Sequence, residues 1–171
     1  RLDWSYADNH FGTGLPPRAD NAANYDLLRP LLADASIRPL PADIAWTRDA
    51  FRDWLRIRAS SSLFRMRDAR DVHRRLSFRN VGPAQQAVVI AAHLDGEGYP
   101  GARFREVLYL VNADKHARTV EFADERGKAY VLHPVLAEAG AADARARRAH
   151  YASTEGRFTV PARTAVVFVV E

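Results

Sequence analysis

The spacing of apolar residues changes once along this chain, near residue 76, from a helical repeat to an alternating one. That switch leaves few architectures open. Between Arg48 and Ser60, Phe51, Trp54, Leu55 and Ile57 line one side of a helix, and Arg52, Asp53, Arg56 and Arg58 occupy the rest. Thr47 reads as its N-cap, with Asp49 in the first turn and Trp46 and Phe51 at staple positions. An earlier short helix, capped by Asn21 or Asn24, runs through Tyr25, Leu27, Leu28, Leu31 and Leu32, and Pro30 either kinks or divides it. Asp71 to Arg75 predicts one more helical turn. Beyond it, Leu76–Asn80, Ala87–Leu94, Glu106–Asn112, Arg118–Phe122, Ala129–Leu132, Arg157–Val160 and Ala165–Val170 read as strands separated by Gly, Pro, Asp and Asn turns. Seven short strands in that span predict an antiparallel sandwich, with the near-continuous apolar runs Ala87–Ala92 and Ala165–Val170 as central strands. The stretch 137–149 has little apolar face and reads as a loop or weak helix.

A chain of 171 residues that is 47% hydrophobic can bury a true core, so wholesale disorder is excluded. The length fits one domain, or one with an appendage. No apolar run approaches the ~18–20 residues of a membrane-spanning helix, and the start Arg1–His10 resembles neither a signal peptide nor a Met-initiated chain, so a fragment is expected. The formal charge of +4 is spread among mixed signs, which argues against a nucleic-acid partner. The absence of cysteine excludes disulfides, thiolate metal sites and cysteine nucleophiles.

No phosphate loop or metal motif occurs, and the six histidines are scattered, so neither a cofactor nor a metal is expected. Asp95–Gly101 lacks the alternating oxygen ligands of a calcium loop and reads as a long hairpin turn. Ser60, Ser61 and Ser62, at a helix end, offer no nucleophile elbow. The aromatics Tyr99, Phe104, Tyr109, Phe122, Tyr130, Tyr151 and Phe158 alternate within or beside strands and read mostly as core. Only the amino-terminal segment has the composition of a site. There Trp4, Tyr6, Asp8, Asn9, His10 and Phe11 combine aromatic faces with short hydrogen-bonding side chains, a mixture suited to sugar rings, although spacing alone favours a packed loop with capping carboxamides.

The residues Asp3-Trp4-Ser5-Tyr6, Asp8-Asn9, Gly12-x-Gly14-Leu15-Pro16-Pro17, Asp20-Asn21, Asn24-Tyr25, Leu28-Arg29-Pro30-Leu31-Leu32 and Phe51-Arg52-x-Trp54-Leu55-x-Ile57-Arg58, with Leu63-Phe64-Arg65, closely resemble the carboxyl-terminal region of bacterial pullulanases. These are α-1,6-glucan debranching enzymes of the α-amylase superfamily. The ordered match covers Asp3 to Met66; the remainder matches in fragments such as Phe78-Arg79-Asn80 and Val111-Asn112-Ala113.

The resemblance implies a mainly β fold, an α-amylase-type antiparallel β-sandwich preceded by a helical segment from the end of a (β/α)8 barrel. It divides the chain into 1–68, the last loop and helices of a catalytic barrel, and 69–171, the sandwich. The family's catalytic carboxylates lie on earlier barrel strands, so no catalytic residue is expected here and the chain alone is expected to be inactive. Substrate contacts are implied at Asp8 and Asn9, with His10 and Phe11 where many relatives carry Asn and Trp, and with Trp4 nearby. The implied partners are the chain's own upstream barrel and, in the intact enzyme, α-glucan. A freestanding α-glucan-binding module is the competing expectation.

Overall fold

A computed structural model of the chain describes residues 3–171, which fall into two compact units that divide between Phe51 and Arg52. Arg1 and Leu2, part of the expected barrel loop, lie outside the described residues.

In the first unit, an irregular loop leads into α1 (Arg18–Asn21), a 3-10 turn and α2 (Tyr25–Ala33), which continues through Pro30. Asp34 accepts the Ser36 N–H at 2.8 Å and starts another 3-10 turn, Ala35–Ile37. α3 (Pro41–Ser60) begins seven residues earlier than its apolar period indicates. The cause is local chemistry. Pro41 is preset for the first helical position, and the Asp43 carboxylate reaches back to accept the Leu40 N–H at 2.9 Å. Thr47 is therefore interior instead of a cap, and its hydroxyl donates to the Asp43 carbonyl at 2.8 Å.

The second unit takes up the chain at Arg52, passes a 3-10 turn at Ser62–Arg65 and enters α4 (Ala69–Arg75), capped by Asp68. Eight strands follow: β1 (Leu76–Phe78), β2 (Val89–Asp95), β3 (Glu106–Asn112), β4 (Arg118–Glu121), β5 (Val131–Leu132), β6 (His150–Ala152), β7 (Arg157–Val160) and β8 (Thr164–Val170), with a short α5 (Pro134–Ala137) after β5. β6 has only three residues and no apolar alternation, so the sequence pattern does not show it. The stretch 137–149 carries a 3-10 turn at Ala144–Arg148.

The strands make two antiparallel sheets, β1-β2-β3-β8-β5 and β4-β7-β6. The apolar runs on β2 and β8 are interior to the larger sheet, as expected, and β3 lies between them. Register puts Leu108 opposite Phe168 and Leu110 opposite Val166, on the face that meets the second sheet, where Phe158 lies 5.3 Å from Phe168. Phe158 also stacks on Tyr151 and contacts Tyr130. This interface is the core. Each Leu, Val or Phe it buries contributes roughly 1.5–3 kcal/mol.

Two buried or half-buried asparagines fasten the ends of strands, which gives physical content to the fragmentary matches around them. Asn112 donates to the Val160 and Pro161 carbonyls at 3.2 and 2.9 Å, joining β3 to the end of β7. Asn80 exchanges hydrogen bonds with the Gln86 backbone, at 2.8 and 3.0 Å, and closes the β1–β2 turn.

Candidate functional site

The amino-terminal loop is held by its own short side chains. The Asp3 carboxylate accepts from the Ser5 hydroxyl and amide and from the Asp8 N–H, at 2.7, 2.9 and 3.0 Å, and those hydrogen bonds, the Ser5 hydroxyl first, hold it below the usual carboxylate range. Asp8 Oδ1 accepts the His10 N–H at 2.8 Å, and Asn9 Oδ1 accepts the Phe11 N–H at 3.0 Å. These are consecutive Asx turns. Tyr6 and His10 both adopt left-handed backbone, and Arg48 lies 4.6 Å over the Tyr6 ring. Gly12 has φ near +80°, and a Cβ there would meet the Leu32 carbonyl oxygen at 2.8 Å, so only glycine fits.

The structure thus gathers Asp8, Asn9, His10 and Phe11 into one turn. Asp8 and Phe11 are half-buried, Asn9 and His10 exposed, and Trp4 is the most exposed large apolar side chain, at 77%. Asp8 Oδ2 lies 3.5 Å from the Arg38 guanidinium. What this geometry offers is recognition: aromatic surface beside a carboxylate and a carboxamide whose positions the turns fix. The Asp3 carboxylate is saturated by loop donors, so it does not pair with Asp8 as an acid and base.

The second unit contains two arrangements that look catalytic at first sight. Ser60 Oγ lies 3.0 Å from His133 Nε2. Yet His133 Nδ1 accepts the Val135 N–H at 3.2 Å, so the ring proton sits on Nε2 and is donated to Ser60, whose own hydroxyl donates to the Ile57 carbonyl at 2.7 Å. The imidazole cannot take the serine proton. Burial, followed by the nearby Arg103 and Arg56 charges, pushes the His133 pKa down to about 4. The pair is a neutral tie between α3 and the start of α5.

The other arrangement is a buried ionic network that sequence reasoning missed. Glu106 Oε2, on β3, accepts from His93 Nε2 at 2.9 Å, from the Tyr130 hydroxyl at 3.0 Å and from the Lys128 ammonium. Glu125 is fully buried, and its Oε2 lies 2.7 Å from Lys128 Nζ and 2.9 Å from the Tyr130 hydroxyl, while Oε1 faces Arg79 Nε at 3.0 Å. Burial would raise the Glu106 pKa, but its hydrogen bonds from Lys128, His93 and Tyr130 overcome that and lower it; burial likewise opposes the Lys128 charge, and Glu106 and Glu125 win. His93, Glu106 and Glu125 place ligand-type atoms within 4.8 Å of one another. The ammonium already occupies the position a metal would take between the two carboxylates, so the donor set fits a lysine rather than an ion. The only sequence signal was Glu106 at the head of an apolar strand; Glu125, in Ala-Asp-Glu-Arg-Gly-Lys, looked like an ordinary turn residue.

The Asp95–Gly101 turn is equally closed to calcium. The Asp95 and Glu97 carbonyls both accept from the Arg75 guanidinium, at 3.0 and 2.8 Å, so a cation already holds them.

Comparison with known proteins shows the family of the chain. Residues 6–171 match the family model described as alpha-1,6-glucosidases, pullulanase-type, C-terminal. Pullulanase 1, chloroplastic, of Arabidopsis thaliana is 39% identical over 99% of this chain, and a Klebsiella pneumoniae pullulanase is 30% identical over 73% of it. The chain spans only 18% and 12% of those two proteins. Among solved structures, the maltotriose complex of Klebsiella pneumoniae PulA superposes with a TM-score of 0.84 at 27% identity, covering 99% of this chain and 18% of that one. Plant and bacterial proteins both match, so the resemblance is not confined to bacteria.

Proposed function

Because the chain belongs to the family of pullulanase-type α-1,6-glucosidase C-terminal regions, we propose that it is the non-catalytic carboxyl-terminal part of a glycoside hydrolase that cleaves α-1,6-glucosidic branches in pullulan, starch or glycogen. Its partner is then its own upstream catalytic barrel.

One observation carries this reading. Among the described residues of the first unit none is buried, yet Leu27, Leu31, Ile37, Leu40, Trp46 and Phe51 are exposed there along with Trp4. Short helices without a shared core do not hold themselves together in water. A unit with this much apolar surface and no interior is built to complete another body, which is what the final helices of a barrel do. On this reading 1–68 closes the barrel and 69–171 is the sandwich packed beside it. The Asp8–Phe11 turn then lies on a loop at the carboxyl end of the barrel, where Asp8 and Asn9 contact glucan hydroxyls, Phe11 and Trp4 offer ring faces, and His10 sits on the same turn.

The test is reducing-sugar release from pullulan by this chain and by the intact parent protein. The parent is expected to be active and the chain inactive. Cleavage by the chain alone would overturn the assignment, and heat of binding when maltoheptaose is titrated into the chain would favour a freestanding glucan-binding module.

A further inference from the structure

Arg75 closes α4, Ser77 lies in β1 opposite His93 of β2, and Arg79 follows β1. On the neighbouring pair of strands Asp95 stands opposite Glu106, with Arg105 just before β3. These residues, with Arg74 and Lys128, line a polar cleft of about 340 Å³ within the second unit.

The cations of the cleft fall into two groups. Lys128 lies between Glu106 and Glu125, Arg79 faces Glu125, and Arg74 pairs with Asp71 at 2.9 Å, so each has a carboxylate beside it. Arg75 and Arg105 form no ion pair among the described residues. Arg75 is only 8% exposed. One of its terminal nitrogens donates to the Asp95 and Glu97 carbonyls and the Tyr99 ring lies 4.9 Å from its guanidinium carbon, but its buried Nε has no hydrogen-bond partner. Arg79 Nε makes no hydrogen bond either, although it faces Glu125. The Arg105 side chain is exposed and donates to no described group. Two lining carboxylates also lack an ion pair: Asp95 Oδ1 accepts the Glu97 N–H at 2.9 Å, and Glu97 is exposed to water. The unmet demand inside the cleft is therefore for acceptors, since a buried N–H without one is costly.

We propose that this cleft is an oxyanion site that takes a phosphoryl group, held by Arg75, Arg79 and Arg105. It goes beyond the function proposed above and does not depend on it. A planar guanidinium presents paired N–H donors that match phosphoryl oxygens. Three of them, on three separate backbone segments, suit a group with three or four oxygens better than a carboxylate with two. The same arginines disfavour a metal ion or an amine. The volume lies near the lower end of the roughly 300–1,000 Å³ usual for small-molecule sites, which is room for free phosphate or the phosphate monoester of one sugar ring, and too little for a glucan chain.

Equilibrium dialysis of radiolabelled inorganic phosphate against the intact parent protein, at fixed ionic strength, tests this. One saturable site is expected. Arg105→Gln should weaken it about tenfold, the loss of a charge-assisted hydrogen bond, and Arg75→Gln at least as much. Should Arg75→Gln fail to fold because the Asp95 and Glu97 carbonyls lose their donor, Arg105→Gln still decides, since that side chain ties no other part of the fold. Glucose 6-phosphate as competitor separates the two sources of the group. Displacement at lower concentration than unlabelled phosphate assigns the site to a sugar phosphate, and weaker or equal displacement assigns it to the free anion. Absence of a saturable site at millimolar phosphate, displacement by chloride as effective as by sulfate, or unchanged affinity in Arg105→Gln would overturn the proposal. Pullulan hydrolysis by the same samples is read separately: a parent that does not cleave pullulan retires the function and leaves the oxyanion site standing.

Discussion

Replacing Lys128 by Met removes the one ammonium between Glu106 and Glu125 while keeping the stem that packs beside Tyr130. Afterward Glu125 keeps the nearby charge of Arg79, whose Nε faces Oε1 at 3.0 Å without a hydrogen bond, and Glu106 retains His93, but the Tyr130 hydroxyl has one proton and faces both carboxylates, at 2.9 and 3.0 Å. One carboxylate loses a donor in a site where Glu125 has no access to water. Removing one partner of a buried pair costs about 3–5 kcal/mol, and since the Lys128 side chain is 27% exposed, the lower end, about 3 kcal/mol at pH 7.5, is expected. The pH dependence identifies the cause. In the variant the deprived carboxylate is favoured as the neutral acid, so its folded pKa rises above the unfolded one and the variant recovers stability as pH falls toward that of a free carboxylate. In the wild type the Glu106 pKa is lowered, so its contribution is present above the unfolded value, about 4.5, and is lost below it. The two stabilities should therefore converge toward pH 4. Urea unfolding followed by the circular dichroism of the sheets, between pH 4 and 7.5, measures this. A difference under about 0.5 kcal/mol at pH 7.5, or one that stays constant with pH, would refute the account of the network.

Three further outcomes follow from the geometry. His133 is held neutral with a pKa of about 4, so folding stability should be full above the unfolded value near 6.5 and decline by about 3 kcal/mol as pH falls to 4; His133→Gln should flatten that slope in the same urea series. Gly96→Ala would set a Cβ 2.1 Å from the Phe104 carbonyl oxygen, and the resulting shift of the β2–β3 connection should cost on the order of 1–3 kcal/mol in thermal unfolding, with none of the pH dependence seen for His133. Asp8→Ala in the intact parent should raise KM for pullulan with the fold unchanged, because the turn loses its carboxylate but keeps the Asn9 cap on Phe11; an unaltered KM would remove Asp8 from the glucan contacts.

Much of the architecture is readable from local rules. Alternation gave seven of the eight strands and the change from helices to sheets, because a half-buried strand must segregate its side chains by face at every second residue. The start of α3 escaped because its cap is not a Ser or Thr before an apolar run. It depends on the Asp43 side chain reaching back to Leu40, with Pro41 supplying the first turn. β6 escaped because a three-residue edge carries no period. For the loop of Asp8 to Phe11, short-range composition marked the place, and the Asx turns that organise it connect residues only two apart.

Which segments are helical or extended, and which side chains of a strand share a face, are written in the sequence, since those depend on neighbours a few residues away; the pairing of β3 with β8 joins segments far apart in the chain and is not. The sequence also bore the family pattern in the order of its amino-terminal motifs. Tertiary structure alone decided how charges separated by tens of residues share one site. Arg79, His93, Glu106, Glu125 and Lys128 meet only because three strands and a crossover turn bring them together, and His133 is neutral only because the fold removes it from water and orients its Nδ1 toward the Val135 amide. A buried charge owes its state to the field of everything folded around it, and no local stretch of sequence contains that field.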